Sequence, residues 1–167
     1  MNLPLKYIPW KRVRDWSCKA CGACCKKFEV PLRAREFVDL TKLFGEGIVE
    51  IRLGKPYLKK IRGICVFQQG RLCTLHPRGI KPRACKIYPF TVRDKGWESA
   101  KFTYRGGEYY VYVNPECRGV ILGTPTKNLV ERIIPEVIEL SLTLEKYNKP
   151  SQLARTYIYP PQPIFII

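Results

Sequence analysis

Apolar side chains at Phe37, Leu40, Leu43 and Phe44 recur at three- and four-residue spacing, which predicts an amphipathic helix from Arg33 to Phe44 that stops at Gly45. A second stripe, Leu129, Ile133, Val137, Leu140 and Leu144, predicts a long helix from Thr124 to about Asn148. Thr124 stands as its N-cap and Pro125 at its first turn, and Pro135 should kink or split it. Between these stripes the pattern changes to short β-branched and aromatic runs punctuated by turns. KKFEV after Cys25 reads as a short strand, and VEIRL and PYLKKI read as two more, separated by Gly54 and Pro56. The segment from Cys65 to Cys73 reads as one tight hairpin with Gln-Gln-Gly near its turn, which would bring its end cysteines together. Pro77, Pro82 and Pro89 then break the chain into turns with one short helix near residues 82–87. Turn signals at Asp94 to Gly96 and Arg105 to Gly107 divide the next aromatic stretch into a meander of about three strands ending near Cys117.

These elements define an α+β fold of short antiparallel strands with a long C-terminal helix. With 167 residues and 46% apolar content the chain supports a single small domain with a real core. Residues 1–16 read as a basic, aromatic arm, residues 17–123 as the cysteine-bearing domain, and residues 124–167 as the helix followed by a packed, proline-rich tail. No apolar run is long enough to span a membrane, and the start lacks the apolar stretch and cleavage site of a secretory signal, so a cytoplasmic location is expected.

Charge adds a class of partner. Thirty Lys and Arg against fourteen Asp and Glu give a formal net charge of +16, whose field favours a nucleic acid or an acidic protein. The strip Lys6, Tyr7, Trp10, Lys11, Arg12 and Arg14 interleaves cations with aromatic faces and is the candidate contact.

The chemistry lies in sulfur. Four cysteines, Cys18, Cys21, Cys24 and Cys25, fall within eight residues, and Cys65, Cys73, Cys85 and Cys117 follow. In a reducing cytoplasm such a set points to metal ligation rather than disulfides. Soft thiolates select zinc or iron, and a C-x2-C step lets two sulfurs converge on one centre. Cys18-x2-Cys21-x2-Cys24 resembles the start of a bacterial ferredoxin run, but Phe28 occupies the position of the next cysteine. A Cys2His2 finger is excluded because His76 is the sole histidine. Eight thiols suit two tetrathiolate sites, or one cluster with additional thiols. The adjacent Cys24 and Cys25 project differently, so one ligates while the other packs, supports a second centre or reacts. Arg78, Lys81, Arg83 and Lys86 form a basic loop around Cys85, suited to counter thiolate charge or to hold an anionic cofactor.

The combination of Cys18-x2-Cys21-x2-Cys24-Cys25, the Cys65/Cys73 pair, KPRACKIYPF around Cys85 and a late Cys117 resembles the family of cysteine-cluster proteins described as zinc- or iron-chelating domains, which includes the flagellin lysine N-methylases. The resemblance spans about residues 17–120. It implies one metal centre, an iron-sulfur cluster (4Fe-4S foremost) or zinc, built by Cys18, Cys21 and one or both of Cys24 and Cys25 with cysteines from the Cys65 to Cys85 region. Where the family more commonly shows Arg-Pro this chain has Lys81-Pro82, which keeps the charge and loses bidentate contact. Two functions compete. One is a cluster protein with a redox task or S-adenosylmethionine-dependent methyl transfer. The other is a zinc-stabilised module without catalysis that binds nucleic acid or an acidic protein. The sequence contains no Gly-rich cofactor loop behind a parallel strand, and no catalytic residue stands out.

Overall fold

The computed structural model of the chain describes residues 6–142. The first strands, β1 (Ile8–Pro9) and β2 (Val13–Trp16), flank a single 3-10 turn. The cysteine segment leads into the short helix α1 (Ala23–Lys27), and α2 (Ala34–Phe44) follows and ends at Gly45 as the pattern requires. Three hairpins come next: β3 (Val49–Arg52) with β4 (Lys55–Leu58), β5 (Lys60–Ile61) with β6 (Ile64–Cys65), and β7 (Gln68–Gln69) with β8 (Leu72–Cys73). Helix α3 (Arg83–Ile87) precedes β9 (Phe90–Arg93), β10 (Lys101–Tyr104), β11 (Gly107–Val113) and β12 (Val120–Leu122). A π-helical turn, Leu129–Ile133, runs directly into α4 (Ile134–Leu142). Among the described residues every strand pairing is antiparallel. Among the described residues no helix is long and apolar enough to cross a membrane.

Two cores divide the described residues. In the first, β11 is the central strand, with β9 on one edge and β10 and β1 end to end on the other. The expected meander is therefore rearranged, because the loop after β9 crosses over and lets β10 and β11 form the hairpin. Arg105 and Gly106 turn that hairpin with φ of 48° and 77°, the two-residue geometry whose twist suits paired strands. Val111 and Val113 face Leu129, Ile134, Val137 and Ile138 of the C-terminal helix. Each such side chain, fully buried, contributes about 1.5–3 kcal/mol. The second core gathers Val30, Leu32, Leu40, Leu58, Cys65, Phe67 and Leu75 from α2 and the hairpins.

Several expectations shift. Trp10, read as part of the candidate contact strip, is 9% exposed, packs edge-on against Phe102 and donates its indole N–H to Lys101 O at 3.1 Å. Its ring is core, so it gives no stacking face to the basic strip. The helix expected from Thr124 is capped instead by Thr126, whose hydroxyl accepts Leu129 N–H at 3.2 Å. The π-turn precedes Pro135, which has no N–H to give an α-helical ladder. Of the expected strand at KKFEV, Lys26 and Lys27 end α1, and the chain is extended from Phe28, where Leu58 N–H donates to Val30 O and Leu32 N–H to Pro56 O. Leu144, the rest of the expected helix to Asn148 and the tail lie outside the described residues.

Candidate metal centre

The cavity between the two cores is built from four segments. Ser17 N–H donates to Gly119 O at 3.1 Å, and β2 pairs with β12 through Trp16 and Val120. This join sets Cys18 beside Cys117. Gly119 permits it, since a Cβ there would lie 2.0 Å from Ser17 O. The second segment carries Cys21, Cys24 and Cys25. Gly22, at φ 68°, turns the backbone into α1, and a Cβ on it would meet Gln68 Nε2 at 2.5 Å and Arg71 O at 3.2 Å. The cysteine segment thus lies directly against the β7–β8 turn.

Cys65 and Cys73 arrive on two successive hairpins rather than at the ends of one. Cys65 pairs with Lys60 and Cys73 with Gln68, because Arg62-Gly63 supplies a turn of its own at φ 51° and 77°. Lys60 Nζ donates to Lys26 O and to Glu29, both at 2.8 Å, which ties this hairpin to the end of α1. Cys85 comes from α3. That helix is held by Glu36, a carboxylate only 4% exposed, which accepts Arg83 N–H at 2.7 Å while its other oxygen accepts Arg33 N–H at 2.8 Å.

All eight cysteines line this one cavity, whose volume is about 110 Å³. No disulfide joins any of them. Seven are partly exposed, and only Cys65 is buried. Thiols packed as core residues would be closed from solvent probes; these look into a space. Among the described residues no three His, Cys, Asp or Glu side chains converge closely enough to hold a single ion. The sulfurs stand around a wall. An engineered cavity of ~150 Å³ takes up a benzene-sized guest, so this space suits a group of several heavy atoms, and the donor chemistry suits zinc or iron.

Local donors prepare some of these sulfurs for negative charge. The Cys25 thiol hydrogen bonds to Cys24 and, with the Lys81 ammonium acting against burial, lowers Cys24 to about 6. The same bond pushes the Cys25 thiol up, reinforced by burial. Burial also raises Cys65, Cys73 and Cys117, but each is opposed by a backbone N–H two residues on, from Phe67, Leu75 and Gly119. Such donors favour thiolate. The Trp16 indole also favours thiolate at Cys117, and among the described residues its buried N–H has no hydrogen-bond partner. Cys85 is pushed up mainly by burial, with Lys81 opposing. Burial pulls Lys81 itself down, yet the sulfurs around it, Cys85 first and then Cys73, Cys24 and Cys18, raise it on balance.

The basic loop divides. Lys81 and Lys86 line the cavity, as does His76. Arg78 and Arg83 are not among the lining residues. The Arg78 guanidinium lies over the Phe44 ring at 5.4 Å, and Arg83 Nη1 donates to Ser141 O at 2.7 Å at the end of α4. Trp16, Lys19, Arg71 and Arg118 line the cavity although nothing in their sequence context singled them out. The one available signal was adjacency, since Lys19 and Arg118 each follow a cysteine directly.

A thiol-lined cavity between two small cores, with N–H donors aimed at its sulfurs, defines a cysteine-cluster metal-chelating domain. Residues 17–118 match the CxxCxxCC family, described as a "Putative zinc- or iron-chelating domain", and the chain belongs to that family. No curated protein and no solved structure matches the chain.

Proposed function

We propose that this protein carries a cysteine-ligated iron-sulfur cluster and acts in redox chemistry. The observation that carries the reading is one cavity of about 110 Å³ lined by all eight cysteines. Cys24, Cys65, Cys73 and Cys117, whose sulfurs accept protein donors, would hold the cluster. Cys18, Cys21 and Cys85 add sulfur to the same wall, Cys25 acts as donor to Cys24, and Lys81 offsets thiolate charge. A bound cluster would supply one-electron transfer at a potential set by hydrogen bonds to sulfur and by exposure. Methyl transfer would further require a site for S-adenosylmethionine, a cofactor the family resemblance brings in and no feature of the cavity specifies.

Anaerobic purification with metal and acid-labile sulfide analysis and an absorption spectrum tests the reading. Brown protein with iron and sulfide in similar amounts is expected. Colourless protein with one or two zinc ions overturns it in favour of structural zinc.

A further inference from the structure

The cavity mouth carries a second feature. Lys19, Arg71 and Arg118 are exposed and line it, yet they come from three distant parts of the chain. Each is anchored beside a thiol. Lys19 follows Cys18, Arg118 follows Cys117, and Arg71 sits two residues before Cys73 with its backbone against Gly22. The turn that bears Arg118 is closed by Val120 N–H donating to Cys117 O at 3.0 Å.

Among the described residues, none of these three cations makes an ion pair. Cations elsewhere do: Arg52 pairs with Glu29 and Glu50, Lys101 with Glu108, and Arg105 with Glu139. Among the described residues one carboxylate, Glu116, lines the cavity, and Lys6 already engages it at 3.0 Å. Lys81, also on the cavity wall, provides counter-charge for the sulfurs around it. Lys27, also exposed on the wall, acts on Glu116. Lys19, Arg71 and Arg118 are therefore additional to that counter-charge.

Resting on the cluster reading, we infer that the mouth of the cysteine cavity is an oxyanion-binding site in which Lys19, Arg71 and Arg118 hold a carboxylate- or phosphate-bearing ligand against the metal centre. Arginine forks bond such groups through paired N–H donors, and a cleft of one charge sign concentrates anions before contact. The carboxylate or phosphate belongs either to a small molecule or to an acidic peptide segment, and the two arms of the test distinguish them.

The test titrates inorganic phosphate and, separately, a hexaglutamate peptide into metal-loaded full-length protein at low ionic strength, followed by calorimetry and metal analysis. Saturable binding to at least one is expected, weakening with salt. Arg71→Gln and Arg118→Gln should each reduce affinity about tenfold with metal content unchanged, while Arg12→Gln and Arg14→Gln, outside the cavity, leave it unaltered. Preference for phosphate assigns a small ligand, and preference for hexaglutamate assigns a protein segment. No binding by metal-loaded protein, or equal losses in both variant pairs, overturns the site. Protein that holds no metal but keeps the arginine-dependent affinity overturns the cluster and leaves the anion site standing.

Discussion

Glu36 Oε1 accepts the backbone N–H of Arg83 at 2.7 Å across 47 residues of sequence. One carboxylate thereby caps the starts of both α2 and α3, and α3 carries Cys85. Replacing it with alanine leaves two backbone donors unsatisfied in a buried place. Glu36→Ala should cost about 3 kcal/mol in denaturant unfolding and reduce metal retention. Glu36→Gln, which keeps one acceptor oxygen, should lose less of both.

Cys24 and Cys25 hold different offices despite adjacency. The Cys25 thiol donates to Cys24, and Cys25 packs against the second core. Serine at position 24 should abolish most metal loading, whereas serine at position 25 should preserve most of it. Metal-to-protein ratios of the two variants check this, and equal losses would contradict the division of roles.

Gly22 is expected to resist substitution. Alanine there is strained at φ 68° and collides with Gln68 and the Arg71 backbone. Gly22→Ala should destabilise by about 2 kcal/mol and loosen metal binding, seen as a lower melting temperature and faster loss to a chelator. Gly47→Ala, where a Cβ meets nothing within 4 Å, is the neutral control.

The buried indole N–H of Trp16, without a partner among the described residues, acts to lower the Cys117 thiol, and its ring packs edge-on against Phe90 with ring centroids 5.6 Å apart. Trp16→Phe keeps a ring and removes the donor. Outer donors of this kind typically alter metal affinity 10–100-fold, so chelator competition should show a loss of about tenfold, and a cluster's reduction potential should fall.

Acid should weaken the link between α1 and the β5–β6 hairpin. The hydrogen bond and charge of Lys60, with Arg52, hold the Glu29 carboxyl below its ordinary 4.5. A depressed carboxyl stabilises the fold above its unfolded value and loses that contribution as pH falls through the folded one. The pair is partly exposed, so its worth is at most about 1 kcal/mol. Glu29→Gln should therefore be less stable than the parent at pH 7, and the gap should close below about pH 4.5, as measured by urea midpoints.

Helix α2 and its Gly45 stop were legible because the apolar period there is uninterrupted. The cysteine segment was legible as a site because its spacing has few structural uses. The partners of that segment were less so. Cys18 meets Cys117 through the β2–β12 pairing and the missing Cβ of Gly119, and neither leaves a local periodic trace. Cys65 and Cys73 looked like the ends of one hairpin because Gln-Gln-Gly is a turn signal; Arg62-Gly63 supplies a second turn just before it. Trp10 sits among cations in sequence, and only the fold shows that its ring turns inward against Phe102. Phe28, which breaks the ferredoxin spacing, lies 5.2 Å from Tyr88 and closes part of the cavity wall.

The cavity takes its walls from Cys18 through Cys117, a span that imposes an order on biosynthesis. At ~5–20 residues per second, the early thiols wait on the order of 5–20 s for the last to be translated. During that interval the nascent chain presents Cys18, Cys21, Cys24 and Cys25 without Cys117, the strand pairing that sets it in place, or the second half of the wall. Completion of the centre then awaits the translation of Cys117, and the medium in which those four thiols wait, metal-donating or oxidising, decides what fills it.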